Sequence, residues 1–114
     1  MDIKLLSIFF PEGLLDYFDV ISLDDSGDQL VFRLEELNIP PEGYDSTDLL
    51  SKGFYEGGQI NDFPVRGKRC VYQVPRRKWQ VKADGRVITR DWNIVASGTR
   101  MTGEFAFFLK ELNR

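Results

Sequence analysis

Histidine is absent from the 114 residues, and Cys70 is the only cysteine. One thiol forms no disulfide within the chain. Without imidazoles beside it, a four-ligand Cys/His zinc site lacks donors. The same absence removes Ser-His and Cys-His nucleophile pairs. Neither G-x-x-x-x-G-K-S/T nor G-x-G-x-x-G occurs, so no phosphate-cradling loop is present. Basic neighbours can lower a thiol pKa, but nothing near Cys70 in sequence supplies a base, and an inert half-buried thiol is expected. The apolar run Leu5 to Phe10 is too short to span a membrane. It has neither a weighty basic flank nor a small-residue cleavage site, so it does not read as a signal peptide. These absences predict a non-enzymatic chain with no cofactor and no membrane contact, in a reducing, cytoplasmic setting.

What is present suffices for a core. Hydrophobic residues make up 42% of the chain, with nine Phe, and the length fits one domain or two small lobes sharing a core. The net charge of −3 hides a division. Residues 1–63 carry 14 acidic and 3 basic side chains, net −11; residues 64–114 carry 4 and 12, net +8. Either the basic half meets a polyanion, or the halves neutralise each other within the fold or across a dimer.

Along the chain, Met1 to Phe18 reads as helical, with Pro11 in a first turn and Leu14, Leu15 and Phe18 on one face. Phe18–Asp24 and Gln29–Glu36 read as paired strands around the turn cluster Asp24 to Asp28; Leu30, Phe32 and Leu34 alternate with Val31, Arg33 and Glu35. The pairs Asp24/Asp25 and Glu35/Glu36 are not acid/base candidates, because strand neighbours point to opposite faces. Asn38 to Asp48, with Pro40-Pro41, is a loop. Arg69 to Val81 reads as one long bent strand with an edge or bulge at Pro75. Lys82-Ala83-Asp84-Gly85 is a hairpin turn, and Arg86 to Trp92 the return strand. Met101, Phe105, Phe108, Leu109 and Leu112 recur at helical spacing behind the N-cap Thr102, a stripe expected to pack on the hairpin.

The stretch Asp62 to Trp92 holds nine of the fifteen basic residues, both tryptophans and the cysteine. Basic residues interleaved with aromatics suit a polyanion: cations meet phosphates, and rings support the stems or stack on bases. The plainer alternative is a soluble hairpin with a solvated basic face. The tryptophans are core residues or stacking platforms, the core reading being the safer.

Several stretches, IPPEGYDSTDLLSKGFYEGG, INDFPVRGKR, RRKW and RDWNIVASGTRMTGEFAFFLKEL, resemble the short N-terminal protein of split bacterial insertion-sequence transposases, the ISAon-like group. The resemblance runs from about Pro11 to Arg114. In that group a second reading frame encodes the catalytic domain. More distantly, the chain resembles the zinc-ribbon N-terminus of related single-chain transposases. Asp62, Pro64 and Gly67 match its opening, and Arg76, Arg77 and Trp79 its basic-aromatic run. Val81 and Asp84 stand where that pattern has cysteines, which removes the zinc site.

The expected fold is α+β: antiparallel β-hairpins, the second a degenerate metal-free ribbon, with an N-terminal helix and a C-terminal amphipathic helix. An acidic helix-plus-hairpin lobe (1–50) would adjoin a basic hairpin and helix (51–114). The implied function is a non-catalytic DNA-binding or accessory module of a transposase. Arg66, Lys68, Arg69, Arg76, Arg77, Lys78, Lys82, Arg86 and Arg90 would contact duplex DNA at the element ends, and Trp79 or Trp92 would stack if a strand melts. Alternatively the chain docks the separately encoded catalytic subunit without touching DNA, or it is an inactive remnant.

Overall fold

The computed structural model describes residues 8–11, 13–92 and 103–112. Strand β1 (Phe18–Ser26) turns back through Gly27-Asp28 into β2 (Gln29–Glu36), paired from Phe18↔Glu36 to Ser26↔Gln29 with a bulge at Ile21. On β2 the expected alternation holds, with Phe32, Leu34 and Glu36 buried and the residues between them half-buried. The surprise is on its other side. Strand β5 (Lys68–Gln73) runs parallel to β2, from Gln29↔Arg69 to Arg33↔Gln73, and β4 (Gln59–Val65) pairs antiparallel with β5. The four-stranded sheet therefore has the order β1-β2-β5-β4 and joins strands from both sides of residue 50.

Pro75 divides the long strand expected over Arg69 to Val81. Strand β5 ends at Gln73, and β6 (Arg76–Val81) begins after Val74-Pro75 in a different sheet. A proline cannot donate to the ladder, so the chain changes sheet there. Strand β6 is the centre of the order β3-β6-β7, between β3 (Leu49–Tyr55) and β7 (Val87–Thr89). The hairpin turn before β7 is as expected: Asp84 accepts the Arg86 N–H, and Gly85 N donates to the Val81 carbonyl. The return strand is three residues long rather than seven, because Arg90 and Trp92 turn into the interior.

The expected N-terminal helix does not run through residues 8–18 as one element. Ile8 and Phe9 are helical, Leu14–Asp16 form a single 3-10 turn, and Phe18 opens β1. Gly13 at φ +95° leaves helical space after Pro11, so the chain cannot run on as one helix. Leu14 and Phe18 are buried as a helical stripe would have them, but from a turn and a strand. The remainder of that expectation, residues 1–7 and 12, lies outside the described residues.

Helix α1 (Gly103–Leu112) matches the expected C-terminal helix. Its buried Phe108, Leu109 and Leu112 pack on the four-stranded sheet and not on the β6-β7 hairpin. Phe108 meets Phe18 at 6.0 Å and Tyr72 at 5.9 Å between ring centroids. Trp92 stacks on Phe18 at 5.1 Å in the same core. A smaller cluster of Leu49, Trp79 and Val81, with Tyr44 and Ile88, fills the inner face of the three-stranded sheet. The Leu37–Asp48 connection contributes to it, since Asn38 accepts the indole N–H of Trp79 at 2.8 Å. Among the described residues no helix is long and apolar enough to cross a membrane.

Candidate nucleic-acid interface

Pairing in the three-stranded sheet assigns each residue a face, because cross-strand partners share one. Leu49↔Val81 and Ser51↔Trp79↔Ile88 face inward, over the small core. Leu50↔Gln80↔Val87, Lys78↔Thr89 and Tyr55↔Arg76 therefore face outward. Leu50, Tyr55 and Val87 are 46%, 50% and 49% exposed on that face. Lys78 Nζ sits 4.8 Å from the centre of the Tyr55 ring, a cation–π contact between neighbouring strands. Gln80 is braced by its Nε2, which donates to the Gly85 carbonyl. The result is an open sheet face with one aromatic ring, two aliphatic side chains and Lys78 on it; the Arg76 guanidinium turns inward, its Nη2 donating to the Arg90 carbonyl and its Nε buried. Lys52, Lys82 and Arg86 are exposed on the same sheet or its turn.

The ten residues singled out from sequence fall into four places. Arg76, Arg77, Lys78 and Trp79 lie on β6, but only Arg76 and Lys78 share the outward face. Arg77 is turned inward, its Nε donating to the Glu36 carbonyl, its Nη1 to Ser51 Oγ, and its guanidinium 4.8 Å from the Phe54 ring. Lys82 and Arg86 stand on the β6-β7 turn, where Asp84 pairs with Arg86 at 2.7 Å. Arg66, Lys68 and Arg69 belong to the four-stranded sheet, at the β4-β5 turn. Lys68 is held by Asp25 at 2.6 Å, and Arg69 bonds the Gln29 amide oxygen.

Trp79 and Arg90 occupy the interior, at 1% and 7% exposure, and so offer no face to a base or phosphate. Trp92 is buried too. Arg90 lies over the Tyr17 and Trp92 rings and donates to the Ile39 carbonyl; its Nε is 3.4 Å from Glu36 Oε2. Glu36 also accepts the Arg77 backbone N–H. Burial pushes its carboxyl up to about 7, and the pull of Arg90, the Arg77 N–H and Arg76 only partly offsets that. Cys70 is buried, and desolvation raises its thiol pKa. Nearby, Tyr72 donates to Asp62 at 2.6 Å, and burial with that bond raises the phenol well above its usual range.

Protein-family profiles, curated proteins and solved structures all lack a match to this chain.

The site therefore rests on its own geometry. Among the described residues no carboxylate lies within ion-pair distance of Arg66, Arg69, Arg76, Arg77, Lys78 or Lys82. Among the described residues, carboxylates of the acidic half form ion pairs with Lys68 and Arg90 of the nine cations. Sequence reading missed Tyr55, Leu50 and Val87 as parts of this face. Their association needs the β3-β6 pairing, which spans more than twenty residues of chain. It also missed Glu36, whose partners Arg77 and Arg90 are about forty and fifty residues on. Among the described residues no group of three His, Cys, Asp or Glu side chains converges on a metal-sized space.

Proposed function

We propose that the chain is a non-catalytic, nucleic-acid-binding accessory module of an insertion-sequence transposase. The observation that carries the binding half of this reading is the outward face of β3-β6-β7, where Lys78 lies over the half-exposed Tyr55 ring and, among the described residues, has no carboxylate within ion-pair distance. Cations whose partners are carbonyls, hydroxyls or rings keep their net charge for phosphates. The transposition half rests on the resemblance of the stretches around DFPVRGKR, RRKW and RDWN to split transposases. The test is fluorescence anisotropy with the element's terminal repeat, a random duplex and a single strand, from 25 to 300 mM salt. Binding should weaken by roughly 0.9 log unit per log unit of salt for each duplex phosphate contacted. No binding to any of the three at the lowest salt removes the reading.

A second reading, docking of the separately encoded catalytic subunit, draws on a different surface. An apolar groove of about 800 Å³ runs along the four-stranded sheet, lined by Phe9, Leu23, Phe32, Ile60, Cys70 and Phe107 among others. Exposed Phe9 and Phe107 on its walls are the kind of apolar surface that partners cover. Co-purification with that subunit in the absence of any nucleic-acid binding would favour this reading over the first.

A further inference from the structure

We infer that the outward face of β3-β6-β7 is a platform for unpaired nucleic acid, with Tyr55 as the ring on which a base stacks. This rests on the nucleic-acid reading of the same face and narrows it to the single-stranded form. A surface that tracks a duplex backbone relies on cations set against its phosphates. This face has the opposite make-up. Leu50, Tyr55 and Val87 are each about half exposed on it, and Lys78 supplies charge within it. Bases released from a duplex present apolar flat surfaces, which such side chains can cover.

The geometry around Tyr55 supports the assignment. Lys78 Nζ lies over one face of the ring, 4.8 Å from its centre, a contact that orients the ring and sets a cation next to it. Half of Tyr55 stays exposed, so the contact with Lys78 does not use up the ring. The tryptophans cannot serve instead, because Trp79 and Trp92 are both buried. Strand β6 has six residues, so the face extends roughly 20 Å along it, enough for a few nucleotides.

The experiment compares a fluorescein-labelled oligo-dT of twelve nucleotides with a twelve-base-pair duplex at 50 mM salt, for the full chain and for Tyr55→Ala and Tyr55→Phe. The expected result is at least ten-fold tighter binding of the single strand. Tyr55→Ala should lose about ten-fold on the single strand and under two-fold on the duplex, as base–aromatic stacking implies. Tyr55→Phe, which keeps the ring, should bind as the parent does. Cross-linking of a 5-iodouracil-substituted strand should map to Tyr55. Duplex bound as tightly as single strand, an unaltered Tyr55→Ala, or a cross-link at the Arg66–Arg69 turn overturns the platform and leaves the broader function standing. Failure of both nucleic acids to bind overturns the two together.

Discussion

Glu36 is the residue at which the two sheets are tied. It ends β2 in one sheet, and its carboxylate and carbonyl take up Arg77 on β6 and Arg90 after β7 of the other. A carboxyl raised to about 7 from 4.5 by burial holds its proton more tightly when folded than when unfolded. Between those values the folded state binds the extra proton, so stability falls as pH rises from about 4.5 to about 7 and levels off above. The loss across that window is roughly 3 kcal/mol if Glu36 acts alone. Urea midpoints at pH 5 should therefore exceed those at pH 7.5. Glu36→Gln, which cannot ionise, should abolish the difference. A parent midpoint that climbs from pH 5 to 7.5 would show instead that the Arg90 pairing outweighs burial.

At the scale of elements, the β4-β5 turn shows how far local signals reach. Arg66 and Gly67 both take positive φ, +51° and +77°, the pattern of a two-residue turn matched to strand twist. No atom lies within 4 Å of where a Cβ on Gly67 would stand, so the cost of a side chain there is purely conformational. Gly67→Ala should lower stability by about 1–2 kcal/mol in urea titration. An effect under a few tenths would mean the turn relaxes freely. Arginine rarely takes this conformation, so Arg-Gly is a weaker cue than Asp-Gly, and strand β4 went unread from sequence while the Asp84-Gly85 turn was plain. The β1-β2 hairpin and helix α1 were legible for a similar reason, since alternation and the Phe108, Leu109, Leu112 stripe lie within one element. The parallel contact of β2 with β5 leaves no local trace, because about forty residues separate the partners. The N-terminal stripe of Leu14 and Phe18 misled because three- and four-residue spacing is also met by a 3-10 turn entering a strand. The candidate site was half legible: its cations stood out in sequence, but their facing did not, and Tyr55 comes from another part of the chain.

For the molecule as a whole, the question left by the sequence was whether the −11 and +8 halves cancel inside the fold. Among the described residues they do so at Asp25–Lys68 and Glu36–Arg90. Arg33, the described cation of the acidic half with ion pairs, is answered within that half by Glu35 and Glu56. On β6, Arg77 and Lys78 meet neutral groups instead, whereas Arg76 lies near enough to the buried Glu36 to pull on its carboxyl. Two lysines ten residues apart thus differ in what their charge is available to do. Lys78 lies over an uncharged ring on the outward face, whereas Lys68 is engaged by Asp25 in the other sheet. Lys78→Glu should weaken binding of single-stranded nucleic acid about ten-fold and make its salt dependence shallower by about 0.7 log unit per log unit. Lys68→Glu removes the ion pair with Asp25 and sets a second carboxylate near it at an exposed position, where such a pair contributes at most about 1 kcal/mol to stability. It should change binding by less than two-fold. Anisotropy titrations of both variants across salt check this directly. Equal losses at the two positions would mean that binding follows net charge and not the facing of β6.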